Sequence, residues 1–377
     1  MLWTVKQTQT SLSYLNDVLA HFIIRSRSES KYFKKRLFPE SFLKIHDDKR
    51  NNVREKFKTV FDEINKLGIK QRRKLICIYL NNQKVERLCL DKNFPRKNLS
   101  NFPNDLQTAI KKLGEYLYSS VLQQSCFTDL PNVNDTLRTH WTNYKNANGR
   151  ICCFCGINKY TEQLANVETS KQLRPAFDHY LPKEKYPFAS VNFNNLIPIC
   201  DFCNGRRFKG SIDPCEYKKQ TSTHAFYPFG SLAYGSLSYK VELNLNQIQG
   251  REEISDILDV KLSKPKDEQQ CTWNHVFKVI SRVKGHINEC YGSWLQTDIL
   301  TTPHNLEHLK KLLEDQGKAN LRNRKNLESA FHKGFTYLKL SQLDDDSLEA
   351  IFDSIGYLPV PDNDKQLHDL LKSIDMV

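Results

Sequence analysis

The chain has 377 residues, of which 39% are hydrophobic, 26% charged and 11% aromatic, and its mean hydropathy is −0.60. This excludes collagenous, disordered and membrane-embedded classes, and the length suffices for two or three domains of roughly 150 residues each. Lys and Arg number 56 against 43 Asp and Glu, a formal +13, so a polyanion, nucleic acid first, is the expected partner; a basic surface with no specific ligand accounts for the same balance.

The opening MLWTVKQTQT has no cationic segment leading into an apolar run and a small-residue cleavage site, so no secretory signal is read. The most apolar stretch, Leu12 to Ile24, is interrupted by Asn16, Asp17 and His21 and falls short of the ~20 apolar residues of a spanning helix. A cytoplasmic location without membrane contact is expected. Eleven cysteines, an odd number, then point to thiols or metal ligands rather than to a disulfide framework.

Residues 1–147 read as a mainly helical domain. Val53, Phe57, Val60, Phe61, Ile64 and Leu67 follow the helical period, with Gly68 where a C-terminal cap glycine would sit. Leu106, Ile110, Leu113, Leu117 and Val121 carry another helix, with Pro103 near its start. Between them, Leu75 to Leu90 fits either a helix or a hairpin around Asn81 and Asn82. Lys34, Lys35, Arg36, Arg72, Arg73 and Lys74 form either a solvated helix face or a binding arm.

Residues 148–235 change texture, with glycine, proline and cysteine clustering. Residues 236–377 open on an alternating strand through Leu237, Tyr239, Val241, Leu243 and Leu245, for which Ile257 to Leu262 is the candidate partner. A helix follows with Trp273, Val276, Phe277, Ile280 and Val283 on one face, then further helices around Leu306 to Leu313 and Asn320 to Leu340. Ser341 to Val377 holds nine acidic residues, among them Asp344, Asp345 and Asp346, against Lys365 and Lys372, and reads as a mask for a basic surface or a docking segment.

Chemistry concentrates in the middle. Cys152 with Cys155, and Cys200 with Cys203, form two C-x-x-C pairs, which together supply four thiolates for a tetrahedral structural zinc ion; four buried thiols without metal are the competing reading, and Cys153 is an alternative ligand. Between the pairs lie Asp178 and His179 in FDHYLPK, then Asn194 and Asn195, and Asn204 follows the second pair. A carboxylate and a carboxamide offer oxygen ligands to Mg²⁺ or Mn²⁺, and a neutral imidazole accepts a proton from water near pH 7.

In this order the residues resemble the HNH endonuclease family, in the group that carries a structural zinc. The likeness covers about Arg150 to Gly210, and DHYLPKEKYP followed by NLIPICDFCN looks most like the HNH nucleases that accompany bacterial anti-phage systems. It implies an α+β protein, a mostly helical chain around a central zinc-stabilised ββα-metal core. Asp178 and His179 would sit on the first strand of a hairpin, and a helix would be entered near Asn204. Asp178 and Asn204 would hold the divalent ion, His179 would activate water, and Asn195 would hydrogen-bond the loop and keep the His179 ring oriented. The family commonly has a lysine three residues after the Asn204 position; Arg207 occupies that place and Lys209 resembles that residue, so both, with Arg206, are candidates for contacting the phosphate backbone.

The implied function is metal-dependent hydrolysis of phosphodiester bonds, with double-stranded DNA as substrate and an ATPase or sensor protein as partner. The alternatives are a zinc-stabilised nucleic-acid-binding module and a partner-regulated nuclease subunit acting on RNA. With an unperturbed imidazole as base, cleavage would decline below about pH 6.5.

Overall fold

The computed structural model describes residues 5–27, 32–48, 51–162, 165–168, 173–217, 223–230, 239–243 and 258–298. Two compact units are formed: residues 6–144 with 161–229, and residues 1–5 with 145–160 and 230–377. The expected helices around Leu306 to Leu340 and the acidic terminal segment lie outside the described residues.

The first unit begins with α1 (Tyr14–Arg25), which buries Leu15, Val18, Leu19, Phe22 and Ile23. The apolar run beginning at Leu12 is therefore one face of a core helix, and among the described residues no helix is long and apolar enough to cross a membrane. After the short α2 (Leu43–His46), α3 (Val53–Asn65) turns Val53, Phe57, Val60, Phe61 and Ile64 inward at helical spacing. Aromatic rings knit these helices together: Phe57 meets Phe22 edge-on with ring centroids 4.8 Å apart and Phe38 at 5.0 Å.

Gly68 does not cap α3 from the left-handed region. Its backbone is extended, and its carbonyl accepts the Arg72 amide at 3.0 Å, so it is the first cap of α4 (Ile69–Asn82). The stretch from Leu75 to Leu90 is helical, in α4 and α5 (Val85–Leu90). Asn81 and Asn82 are buried helix residues whose amides donate to the carbonyls of Pro95 and Lys97, at 2.8 and 3.0 Å. The long α6 (Asn104–Ser119) is capped by Pro103 and packs along α3; α7 (Ser125–Thr128) and α8 (Leu137–Asn148) follow. The unit ends in a hairpin of β1 (Ala176–His179) and β2 (Leu196–Ile199), antiparallel with Asp178 opposite Ile197 and His179 opposite Leu196, and then α9 (Asp201–Asn204).

In the second unit, β3 (Tyr239–Leu243) pairs with β4 (Leu258–Leu262) in antiparallel register, Val241 opposite Val260, which matches the expected strand pair. The apolar stripe from Trp273 to Val283 is divided between α10 (Glu268–Phe277) and α11 (Val279–Asp298). Lys278, at φ 52°, breaks the continuity, and the Asn274 side chain caps the new helix by accepting the Ile280 amide at 3.0 Å. The spacing of apolar residues survives the break, so periodicity alone conceals it.

Within the first unit, His140 on α8 is buried between Phe177, stacked at 5.3 Å, and Phe193, edge-on at 5.0 Å. Burial holds its imidazole down at about 4, with Asp135 opposing weakly, so the ring is neutral when folded and takes up a proton only on unfolding. The unfolded state binds more protons below the ordinary imidazole value, so stability falls as pH drops through that range. His140 should contribute about 2–3 kcal/mol of acid destabilisation between pH 6.5 and 4. Urea unfolding at stepped pH should show that slope, and His140→Phe, which keeps the aromatic sandwich without the titration, should flatten it.

Candidate metal centre and candidate active site

Cys152, Cys155, Cys200 and Cys203 are buried, and their sulfurs all lie within 4.8 Å of one another. Zinc at about 2.3 Å from each thiolate sets tetrahedral sulfurs roughly 3.8 Å apart, so the cluster is of the right size for one ion. The turns are built for this purpose. In the first, Ile151 bridges Lys159, the Cys152 amide donates to the Asn158 carbonyl at 2.9 Å, and Gly156 turns through φ 64°, a conformation that L side chains resist. The Asn158 amide points at Cys155 Sγ from 3.5 Å. In the second, Cys200 caps α9 and its sulfur accepts the Cys203 amide, also at 3.5 Å. Amides aimed at sulfur stabilise thiolate, the form that binds metal. Cys153 is buried but stands outside this group, its amide donating to the Tyr160 hydroxyl at 3.0 Å.

The hairpin β1–β2 positions the other predicted residues. Asp178 Oδ2 lies 3.1 Å from the ammonium of Lys209. Lys209 was expected against the phosphate backbone, but it is only 1% exposed, and its ammonium donates to the carbonyls of His179 at 3.0 Å and Gly210 at 3.3 Å. An ammonium so enclosed cannot reach a polyanion, whereas Arg206 and Arg207 face solvent. The Lys209 ammonium is within ion-pair reach of Asp178 but is not aligned as a donor, which leaves Oδ2 a buried acceptor without a hydrogen bond. Burial raises the Asp178 carboxyl above its ordinary range, and Lys209 opposes that rise.

His179 points to the opposite face of β1, as successive strand residues do. Its Nε2 lies 2.9 Å from the Ser190 carbonyl, and because a carbonyl only accepts, Nε2 carries the proton and Nδ1 is left as the basic nitrogen. Tyr118 of α6 presses edge-on against the ring at 4.5 Å, and its hydroxyl donates to the Phe177 carbonyl at 2.5 Å. Burial pulls the His179 imidazole down to about 4, against the pull of the Ser190 bond, so the ring is neutral at pH 7.

Asn195 was expected to hydrogen-bond the loop and keep this ring oriented. It does bond the loop, with no bond to the ring itself: Oδ1 accepts the Leu181 amide at 2.7 Å, and Nδ2 donates to the carbonyls of Leu181 at 3.0 Å and Ala189 at 3.2 Å. The ring's hydrogen-bond partner is the carbonyl of Ser190, next in the chain to Ala189, so Asn195 acts one bond removed. Gly114 on α6 also matters here, because a Cβ added there would stand 2.5 Å from Ser190 Oγ and 3.0 Å from the Pro187 carbonyl. Neither Ser190 nor Gly114 carries a signal in the sequence, since one acts through its main chain and the other through a missing side chain.

Asn204 is the last residue of α9 rather than near the start of a helix. α9 is one turn long, packs against β1, and is followed by turns through Gly205 to Gly210. The Asn204 amide donates to the Cys200 carbonyl at 3.0 Å, which ties it to the second cysteine turn.

Zinc analysis of the purified chain should return one ion per molecule. Cys200→Ser should lower the unfolding midpoint as well as the zinc content, because structural metal binding is coupled to folding. Folded protein that contains no zinc would remove the centre. No family model matches this chain, and no similar curated protein or solved structure was found, so the likeness to HNH nucleases rests on the motif residues themselves.

Proposed function

We propose that the chain is a metal-dependent nuclease of the HNH type that hydrolyses phosphodiester bonds in DNA. The observation that carries this reading is a neutral, oriented imidazole next in sequence to a buried carboxylate oxygen that lacks a hydrogen bond. Asp178 Oδ2 is the kind of atom that a divalent cation completes, and Asn204, on the helix packed against β1, is the second oxygen donor. A divalent ion held there supplies charge neutralisation at the phosphate and at the departing 3′ oxygen.

The chain's own residues do the rest. His179 Nδ1 accepts the proton of the attacking water, with Nε2–H fixed on the Ser190 carbonyl so that the ring neither flips nor changes tautomer. Asn195 holds the loop that presents this carbonyl. Arg206 and Arg207, exposed just past Asn204, attract the phosphate backbone.

A second reading, a zinc-stabilised nucleic-acid-binding module without catalysis, is favoured by one observation. The Lys209 ammonium already balances the charge of Asp178 without any metal.

Incubating the protein with plasmid, single-stranded DNA and total RNA, with and without Mg²⁺ or Mn²⁺, separates the two. Metal-dependent cleavage is expected, with His179→Ala losing at least about 10²-fold in rate while remaining folded. A verified His179→Ala preparation that cleaves at the wild-type rate would remove the residue from the chemistry. Because burial sets the imidazole near 4, protonation should inhibit only well below the unperturbed value, and cleavage should persist at about pH 5.5. DNA affinity should fall about tenfold or more between 50 and 200 mM salt, as expected where several phosphates are neutralised.

A further inference from the structure

The second cysteine turn exposes an aromatic ring. In Cys200–Asp201–Phe202–Cys203 both cysteines turn inward, 1% and 0% exposed, and the residues between them are turned outward. The chain places phenylalanine there, 62% exposed, the most exposed aromatic ring among the described residues. Arg206 and Arg207, both exposed, follow within five residues, and the intervening backbone is folded back by the bond from the Gly205 amide to the Phe202 carbonyl at 3.2 Å. An exposed apolar ring four and five residues from two exposed arginines suits a flat aromatic ligand that bears negative charge beside it. On a chain of formal charge +13, a nucleotide base with its phosphates is the polyanion of that chemistry.

We propose that Phe202, with Arg206 and Arg207, is a stacking platform for an unpaired base, so that the protein engages nucleic acid in single-stranded or locally melted form. A paired duplex hides its base faces within the stack, whereas an unpaired base offers a whole face to an aromatic ring. The inference deepens the nuclease reading and rests on it for the placing of substrate: Phe202 lies two residues before Asn204, on the same single-turn helix.

The test is fluorescence anisotropy of the whole chain with one labelled oligonucleotide, single-stranded and fully paired, without added Mg²⁺ or Mn²⁺ and without chelator, so that nothing is cut and the zinc stays in place. Phe202→Ala should weaken single-strand binding roughly 5- to 100-fold, the range for one aromatic–base stack, and weaken duplex binding less. Phe202→Trp should restore it, and zinc content should be unchanged in both variants. Replacing Arg206 and Arg207 by glutamine should weaken both forms and flatten the salt dependence. Wild-type affinity of Phe202→Ala for single strands would overturn the platform, as would equal loss on both forms. A ring reserved for a protein surface would give the first of these results. Binding that depends on Phe202 in a protein that never cleaves would uphold the platform and overturn the nuclease reading. A wild-type protein that binds neither form would overturn both.

Discussion

A buried ammonium has to be surrounded by acceptors, and Lys209 finds them at three points of the chain. The carboxylate of Asp178 and the carbonyl of His179 lie at the end of β1, and the carbonyl of Gly210 lies beyond α9. One side chain thereby fixes the strand that carries the candidate acid–base pair against the turn that follows Asn204. Gly210 contributes its carbonyl from φ 41°, a backbone state that a larger residue adopts only with strain. Breaking a buried charge pair by removing one partner costs about 3–5 kcal/mol, because the remaining charge is left uncompensated, so this contact constrains both elements. A cation at this place opposes the rise that burial imposes on the Asp178 carboxyl.

Much of the scaffold is legible in the sequence because its signals are local or periodic. The apolar spacing from Val53 to Ile64 specifies α3, that from Leu106 to Leu117 specifies α6, and the alternation around Val241 specifies β3. The cysteine pairs are equally readable, since the chelating turn dictates both their spacing and the glycine at position 156. Backbone geometry is less so. Gly68 and Lys278 each sit at a boundary whose form depends on which neighbouring amide needs an acceptor. The stretch Leu75 to Leu90 could be resolved only by the tertiary bonds that Asn81 and Asn82 make to a distant loop.

The candidate site divides in the same way. Residue identities were readable, while their partners were not. Lys209 looks like a surface cation in a run with Arg206 and Arg207, and only its burial, with one ion-pair partner and two carbonyl acceptors, distinguishes it from them. Asn195 looks like a partner of His179, yet its carboxamide is satisfied by Leu181 and Ala189, and the ring is held by a main-chain carbonyl that any residue at position 190 would provide. His140 and His179 are both kept neutral by burial, one inside an aromatic sandwich and the other against a tyrosine. The same loss of solvent that makes the first a liability in acid keeps the second unprotonated at neutral pH, at the cost of a weaker base.

Gly114 gives α6 a bare patch where the helix crosses the loop holding Ser190. The helix and the loop touch there through main chain and a single hydroxyl, with no compressible side chain between them to absorb displacement. The same helix carries Tyr118, whose ring packs edge-on against His179, so α6 bounds both the imidazole and the loop whose carbonyl bonds it. A methyl group at position 114 would wedge the helix off the loop, so glycine there is the condition for the close approach of the two.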